Sequence, residues 1–161
     1  MMRSFKRKKP EIAKDAIIDE TALLIGDIIV GKACIFPGVI VRATGKKILI
    51  EDDVAIMDKA FLEAHDDMVL GQGSIISHGA ILHGSSIGKN VLVGIGAIVL
   101  DVKIGDDAII GSASLVTKDV GDNEVVMGIP GKVVRKAKKE DADEIKKIRE
   151  AAWKKAREMM E

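Results

Sequence analysis

The side chains best suited to chemistry in this sequence are its histidines. Two of the three, His78 and His83, lie five residues apart in the segment ISHGAILHG. The third, His65, follows the carboxylate residue Glu63 by two positions. Neutral imidazoles bind divalent metals and also act as general bases near neutral pH. The segment therefore predicts either a metal site or a proton-transfer site. Which other side chains belong to that site depends on the fold.

An apolar repeat carries these histidines. From Ile87 the chain divides into IGKNVL, VGIGAI and VLDVK, which together span 17 residues, and the pattern begins again at Ile104. The same period extends back to Ile12, with two insertions, GKKIL after Thr44 and DDMV after His65. Each piece begins with an aliphatic residue, and Gly, Asn and Asp stand where turns need them. Insertions of this kind form loops at one corner of a solenoid.

The repeat predicts an all-β solenoid, because three short strands per rung bury a column of Ile, Val and Leu that no single rung buries alone. The six-residue pattern resembles the hexapeptide-repeat superfamily, and that resemblance implies a left-handed parallel β-helix. We expect about seven rungs over residues 12–136, after an N-terminal arm over residues 1–11. A C-terminal α-helix over residues 137–161 should pack on the coil. A sandwich or barrel would instead alternate polar and apolar residues at irregular spacing.

The end of the coil and the start of the helix both have sequence signals. The segment MGIPGKVVR resembles the exit segment of the superfamily. Asp141 and Glu144 then have the spacing of a capping box. Apolar residues follow at helical spacing: Ile145, Ile148, Ala152, Ala156 and Met159. We expect a helix from Ala142 to Met160 whose apolar side, with Trp153, packs on the coil of the same or a neighbouring subunit.

Composition disfavours several classes of function. Lys and Arg balance Asp and Glu at 25 each, so no net charge attracts nucleic acid or a membrane surface. Three Phe and one Trp offer few platforms for stacking bases. Cys34 is the only cysteine, which indicates a reducing compartment, and no apolar run suits a membrane span or a signal peptide. We expect a cytoplasmic protein that acts on a small-molecule substrate, without nucleic-acid or membrane partners.

Because the rungs stack, residues that are distant in the sequence come close together. Arg42, Glu63 and His83 each follow the leading aliphatic residue of the third strand in successive rungs, so they should form one column. Asp58 and His78 hold the third position of the second strand and should form another column on the adjacent face. A corner separates the two columns within one chain. Across a three-fold interface, His78 of one subunit would meet Glu63 and His83 of its neighbour.

Around these columns the sequence resembles the γ-class carbonic anhydrases. The segments VIVRATGKKILIEDDVAIMD, FLEAH and SHGAILHG are similar to the active-site half of that family. The resemblance implies a homotrimer with a metal, usually zinc, held at each subunit interface by three histidines. His78 and His83 match two of those ligands. Arg42 matches an arginine that stabilises the interface, and Asp58 matches the acidic residue that follows the active-site glutamine.

The sequence departs from that family at three positions. Glu63 stands where the family has its third histidine, Met57 replaces the glutamine that orients a metal-bound hydroxide, and Thr44 replaces an aspartate. Two histidines and one glutamate still form a ligand set for a divalent metal, with His65 as the alternative third ligand. We expect zinc, with iron or cobalt as the other choices, since imidazole suits all three.

The first functional prediction is therefore a γ-carbonic-anhydrase-like homotrimer in which a metal-bound hydroxide attacks CO2 or a related small electrophile. Its activity should be weak or altered, because Met57 cannot position the hydroxide. The expected metal ligands are His78, His83 and Glu63. Glu63 is also expected, with Asp58 and Arg42, among the catalytic residues.

Two alternatives remain. In a hexapeptide-repeat acyltransferase, a histidine would be the general base, and acyl-coenzyme A would lie along the cleft between coils. In a non-catalytic trimeric scaffold, Arg42 and Glu63 would form an ion pair, while His78 and His83 would form hydrogen bonds without a metal. The coil alone does not distinguish these functions.

Overall fold

The strands of successive rungs pair in parallel through the coil of the computed structural model, which describes residues 1–159. Ile75 pairs with Leu92, and Ile81 pairs with Ile98, so the register advances by 17 residues per rung as the repeat predicts. The predicted β-solenoid of about seven rungs with one C-terminal helix is confirmed. Met160, the predicted last residue of the helix, and Glu161 lie outside the described residues.

The described residues form nineteen strands and one helix. In chain order these are β1 (Met2–Arg3), β2 (Glu11–Ile12), β3 (Ile17–Ile18), β4 (Leu23–Val30), β5 (Cys34–Ile35), β6 (Ile40–Ile50), β7 (Ala55–Ile56), β8 (Phe61–Glu63), β9 (Met68–Leu70), β10 (Ile75–Ile76), β11 (Ile81–His83), β12 (Ser86–Ile87), β13 (Leu92–Val93), β14 (Ile98–Leu100), β15 (Lys103–Ile104), β16 (Ile109–Ile110), β17 (Leu115–Val116), β18 (Glu124–Met127), β19 (Lys132–Lys136) and α1 (Lys139–Met159).

Three faces surround the core. The helix face consists of β3, β5, β7, β10, β13, β16, β18 and β19. The histidine face contains β8, β11, β14 and β17, and the third face contains β2, β9, β12 and β15. The long strands β4 and β6 belong to both of the last two faces, because Arg42 of β6 pairs with Glu63 whereas Ile50 pairs with Leu70. The insertion GKKIL, predicted as a loop, thus continues β6 around a corner, where its Ile48 is fully buried.

One aliphatic residue per strand points into the core. The inward column of the histidine face is fully buried and consists of Val41, Leu62, Leu82 and Val99. Burial of one such side chain stabilises the fold by about 1.5–3 kcal/mol. Successive side chains of a strand point to opposite sides. The residues that follow the buried column therefore face outward: Arg42, Glu63, His83 and Leu100.

The N-terminal arm is an ordered part of the coil. Its strand β1 pairs with β4, with Arg3 opposite Ile25. Phe5 and Lys8 exchange backbone hydrogen bonds of 2.8 and 2.9 Å across a tight turn. The N-terminal ammonium donates to the backbone carbonyls of Glu20 and Ala22. The arm therefore covers the N-terminal end of the histidine face.

The C-terminal helix packs on its own coil. Trp153, Ala152 and Ala156 of α1 are buried against the helix face, in one cluster with Cys34 and Phe36. Burial raises the pKa of the Cys34 thiol to about 12. The predicted packing of Trp153 on the coil is confirmed, whereas Met159, predicted on the same apolar side, is exposed.

The helix begins three residues before its predicted start. Lys138 is the residue that caps it, since its carbonyl accepts from the backbone N–H of Ala142 at 3.3 Å. The Asp141 carboxylate accepts from the Lys138 backbone N–H at 2.7 Å, so Asp141 lies in the first turn rather than at the cap. Arg135 donates two hydrogen bonds to the same carboxylate. None of the described residues forms a helix long and apolar enough to cross a membrane.

Candidate functional site

The predicted column on the histidine face is confirmed. Glu63 pairs with Arg42 on one side and with His83 on the other, so the three residues occupy one position of three successive rungs. Arg42 donates to the Glu63 carboxylate at 2.8 Å. The His83 Nε2 atom lies 3.7 Å from the same carboxylate. The column thus contains an ion pair with an imidazole beside it.

Arg42 controls the charge of Glu63. Its hydrogen bond lowers the pKa of the Glu63 carboxyl below the ordinary value, against the opposing effect of burial, and the positive charge of Arg42 acts in the same direction. The Arg42 guanidinium also lies over the Phe61 ring, 5.3 Å from its centre. Its Nε atom is buried without a hydrogen-bond partner among the described residues. Arg42 is therefore held by Glu63 and Phe61 and not by a third group.

His65 joins this column from the position immediately before the inserted segment DDMV. Its Nε2 atom lies 2.8 Å from the Nε2 atom of His83, and the two rings meet edge to face with centres 4.3 Å apart. One ring nitrogen donates and the other accepts. The sequence indicated that His65 could approach the site, but its partner was not predicted. Asp101 of the next rung, with its carboxylate 3.9 Å from His83 Nδ1, was missed altogether.

His78 and Asp58 form a separate pair. The predicted stacking of the two residues is confirmed, since the His78 Nδ1 atom lies 3.0 Å from the Asp58 carboxylate. Their predicted position on a face is wrong. They follow β10 and β7 in the turns between the helix face and the histidine face, where the backbone leaves the strand. Both side chains are partly exposed, His78 by half.

An open groove of about 660 Å³ lies beside this pair. The coil contributes Met57, Lys59 and His78 to its lining, and α1 contributes Lys155 and Met159. The repeat does not encode where the helix docks, so no sequence signal linked these two helix residues to His78. The groove is wide enough for a small ligand.

The predicted metal ligands do not assemble within one chain. His83 and Glu63 lie together on the histidine face, whereas His78 lies at the corner with Asp58 as its partner. Within residues 1–159, no group of three His, Cys, Asp or Glu side chains is arranged to hold a metal ion. Glu63 is engaged by Arg42, and His83 is engaged by His65. This single subunit does not test the ligand set expected across a subunit interface, so His78, His83 and Glu63, with His65 as the alternative, stay a prediction as metal ligands.

Comparison with known proteins gives curated relatives over part of the chain and solved structures over nearly all of it. No protein-family model matches the chain. The carnitine operon protein CaiE of Escherichia fergusonii is 32% identical over 90 residues, which are 54% of this chain and 46% of that protein. The same protein of Escherichia coli strain SMS-3-5 matches over equal shares at 32% identity. The chain thus spans about half the length of the curated relatives it matches.

Solved structures match almost the whole chain. A hexapeptide transferase family protein from Anaplasma phagocytophilum has a TM-score of 0.92 at 29% identity, over 97% of this chain and 96% of that one. A "putative acetyltransferase" from Bacillus cereus has a TM-score of 0.89 at 31% identity, over 96% of this chain and 94% of that one. The second match combines identity above 30% with nearly complete coverage.

The prediction of a γ-carbonic-anhydrase-like enzyme with a metal-bound hydroxide is wrong. The relatives just described are named as hexapeptide transferases or as CaiE, and none of these names denotes a carbonic anhydrase. The geometry explains the error. Glu63, at the third ligand position, is bound to Arg42 at 2.8 Å, and Met57 lines the groove without a polar atom for a hydroxide. The segments that resemble that family share a coil and two histidines with it.

Proposed function

Because the chain belongs to the hexapeptide-repeat left-handed β-helix family, we propose that it is an acyltransferase that moves an acyl group from coenzyme A to a hydroxyl or amine acceptor. The observation that carries this proposal is the pair of His78 and Asp58 at the open groove, with Nδ1 and the carboxylate 3.0 Å apart. The transferase names of its relatives support the same chemistry.

His78 is the general base in this mechanism. A carboxylate only accepts hydrogen bonds, so the Nδ1–H of neutral His78 donates to Asp58 and the lone pair lies on Nε2. Nε2 takes the proton of the acceptor as its oxygen or nitrogen attacks the thioester carbonyl carbon. Asp58 stabilises the imidazolium that forms. The carbon–sulfur bond then breaks, and His78 returns the proton to the departing thiolate, which leaves the acylated acceptor and free coenzyme A.

His83 is less suited to this role. Its Nε2 atom faces the Nε2 atom of His65 at 2.8 Å, so an acceptor would have to displace that contact. His78 has no such competitor on its Nε2 atom among the described residues. The groove beside it admits the acceptor and the thioester end of acyl-coenzyme A, with the rest of the coenzyme along the outside of the coil.

The proposal includes a homotrimer with one site at each subunit interface. The histidine face presents an outward column of apolar residues in register along five rungs: Ile40, Phe61, Ile81, Ile98 and Leu115. Exposed apolar surface of this extent marks a protein–protein interface. Arg42, Glu63 and His83 border this column and would form the polar rim of the interface. The neighbouring subunit would then close the open side of the His78 groove.

The test is acyl transfer by the purified protein. Free thiol released from acetyl-coenzyme A is measured with a panel of small alcohols and amines. We expect His78→Ala to lower kcat by about 100- to 10,000-fold. We expect Asp58→Asn, which removes the charge that orients the imidazole, to lower it by about 10- to 100-fold.

Two outcomes would contradict the proposal. If His83→Ala or His65→Ala abolishes transfer while His78→Ala does not, the base lies on the histidine face and its assignment to His78 is wrong. If no acceptor is acylated and acetyl-coenzyme A at millimolar concentration does not raise the melting temperature, the protein is not an acyltransferase. A non-catalytic trimeric scaffold would then be the remaining function.

A further inference from the structure

The groove beside His78 contains two lysines that the proposed proton transfer does not use. Lys59 comes from the corner of the coil and Lys155 from α1. Both side chains are exposed, and neither belongs to an ion pair within the part of the chain that the structure describes. The neighbouring Lys154, by contrast, is paired with Glu158. The two groove lysines are therefore available to a ligand.

Lys59 occupies a backbone position that is costly for a long side chain. Its φ is +60°, and the equivalent corners of other rungs hold Gly38 at +69°, Gly79 at +65°, Gly96 at +65° and Ala113 at +57°. Its backbone N–H donates to the Pro37 carbonyl at 3.0 Å, which fixes the turn. Glycine avoids the steric strain of this left-handed region, so Lys59 could be replaced by glycine without distorting the turn. A lysine at this corner extends an ammonium into the groove where the next rung carries His78.

Lys155 reaches the same groove because the helix is anchored on the coil. Trp153 and Ala156, which flank Lys155 in the sequence, are buried against the helix face. Met159, one helical turn after Lys155, lines the groove as well. The helix therefore supplies one ammonium and one apolar side chain to the site of His78.

The charges and the apolar lining together specify a ligand. Among residues 1–159, the only carboxylate in the groove lining is that of Asp58, which is engaged by His78. Two ammonium groups thus leave the groove positively charged, and Phe36, Met57 and Met159 give it an apolar wall. A short molecule with an anionic group and an apolar body complements this lining.

We propose that the groove selects acceptors that carry a carboxylate, which Lys59 and Lys155 bind while His78 deprotonates the acceptor hydroxyl or amine. This inference rests on the proposed acyltransferase function. Lys59 and Lys155 are specificity-determining residues, and they do not take part in the chemical step. Because both lysines are exposed, salt weakens the selection.

The test compares acceptors that differ in charge. Acetyl transfer is measured to glycolate against ethylene glycol, and to β-alanine against propanolamine. We expect the wild type to prefer the carboxylate of each pair by about tenfold or more in kcat/KM. Lys155→Met and Lys59→Gly should each reduce that preference by about 2- to 5-fold, through KM for the carboxylate acceptor rather than through kcat.

Lys154→Met is the matched control. Lys154 is the preceding exposed lysine of the same helix and lies outside the groove lining, so the charge preference should not change. Lys59→Gly should melt at the wild-type temperature or above it, because glycine relieves the left-handed backbone. A lost preference in that variant is then not a result of unfolding.

Several results would overturn the inference. If transfer occurs without a charge preference, the groove does not select anions although the protein is an acyltransferase. If KM for acetyl-coenzyme A rises instead, and dephospho-coenzyme A removes the difference between variant and wild type, the lysines bind the donor phosphate. If no transfer occurs at all, the acyltransferase function fails. Glycolate binding, followed by NMR of the His78 ring, then tests the anion site without any acyl transfer. Equal chemical-shift changes in the wild type and in Lys155→Met would refute the binding of the carboxylate by Lys155.

Discussion

Arg42 and Glu63 face each other on successive rungs of the histidine face, with a guanidinium nitrogen 2.8 Å from a carboxylate oxygen. The two residues are 21 positions apart in the sequence, because the inserted segment lengthens this rung beyond the usual 17 residues. The Glu63 side chain is 17% exposed and that of Arg42 is 41% exposed. The pair is therefore partly shielded from water and joins two rungs beside the proposed subunit interface.

Glu63→Gln should destabilise the fold in a manner that depends on pH. The hydrogen bond from Arg42 lowers the pKa of Glu63 below its ordinary value of 4.5, so the ionised form is stabilised by folding. That stabilisation is complete above pH 4.5 and is lost as the pH falls through the lowered pKa. We expect the variant to lose about 1 kcal/mol of unfolding free energy at pH 7, and less at pH 3. Urea unfolding at fixed protein concentration measures both values.

The control for this prediction is Glu144→Gln. Glu144 is an exposed helix carboxylate without an ion pair among residues 1–159, so its neutralisation should change stability by less than about 0.5 kcal/mol at either pH. An equal loss for Glu63→Gln at pH 7 and pH 3 would show that the Arg42 pair does not stabilise the coil through charge.

Acid should fray the start of the C-terminal helix. Two hydrogen bonds from Arg135 and one from the Lys138 backbone lower the pKa of Asp141 from 3.8 to about 2. A lowered pKa means that the contribution to stability is complete above pH 3.8 and disappears as the pH falls toward 2. We expect the protection of the first helical turn from amide hydrogen exchange, relative to an unfolded chain at the same pH, to fall over that range.

Asp141→Asn should remove this pH dependence. The variant keeps a side chain that can accept a hydrogen bond but cannot pair with the Arg135 charge. Its first turn should exchange faster than the wild type at pH 5 and equally fast near pH 2. Asp143→Asn, at an exposed position two residues later, serves as the control and should follow the wild type. Identical exchange of Asp141→Asn and the wild type at pH 5 would contradict the role of this carboxylate.

Trp153→Ala should release the helix from the coil. The Trp153 ring packs in one cluster with Cys34, Phe36 and Ala55, and truncation of a buried aromatic ring costs about 3–5 kcal/mol. Cys34 is the only thiol and is fully buried, so the rate of thiol labelling reports the uncovering of the helix face. We expect that rate to rise at least tenfold in the variant. Release of the helix would also withdraw Lys155 and Met159 from the His78 groove.

Trp153→Phe separates packing from hydrogen bonding. The indole Nε1 atom is buried without a partner among the described residues, so the loss of its N–H removes no hydrogen bond. We expect this variant to label Cys34 at nearly the wild-type rate. Rapid labelling of both variants would show that the ring shape of tryptophan, and not aromatic burial in general, holds the helix.

The carbonic anhydrase prediction shows where motif similarity misleads. The segment SHGAILHG and the column of Arg42, Glu63 and His83 were located correctly, since stacking follows from the repeat. Their function was predicted wrongly, because the similar proteins are named as hexapeptide transferases or CaiE and not as carbonic anhydrases. The structure shows Glu63 bound to Arg42 and His83 bound to His65. The three departures at Thr44, Met57 and Glu63 were the sequence signal that the chemistry had changed.

The sequence alone determined the coil, its register and the residues that share a column. The position of a residue within the six-residue pattern assigns it to a column, so Arg42, Glu63 and His83 align although insertions lengthen their rungs beyond 17 residues. The same pattern pairs Asp58 with His78. The approximate extent of the helix also followed from its apolar spacing, although the cap lies at Lys138 because Asp141 binds back to that residue.

Only the tertiary structure decided which side chains meet outside the repeat. His65 immediately precedes the inserted segment DDMV, so its contact with His83 depends on how the chain turns at that corner. The helix could have docked on any face of its own or a neighbouring coil, and the burial of Trp153 against Cys34 fixes it beside His78. That docking brings Lys155 to the groove. Periodicity fixes contacts between equivalent positions, whereas contacts between non-equivalent segments depend on packing that the period does not encode.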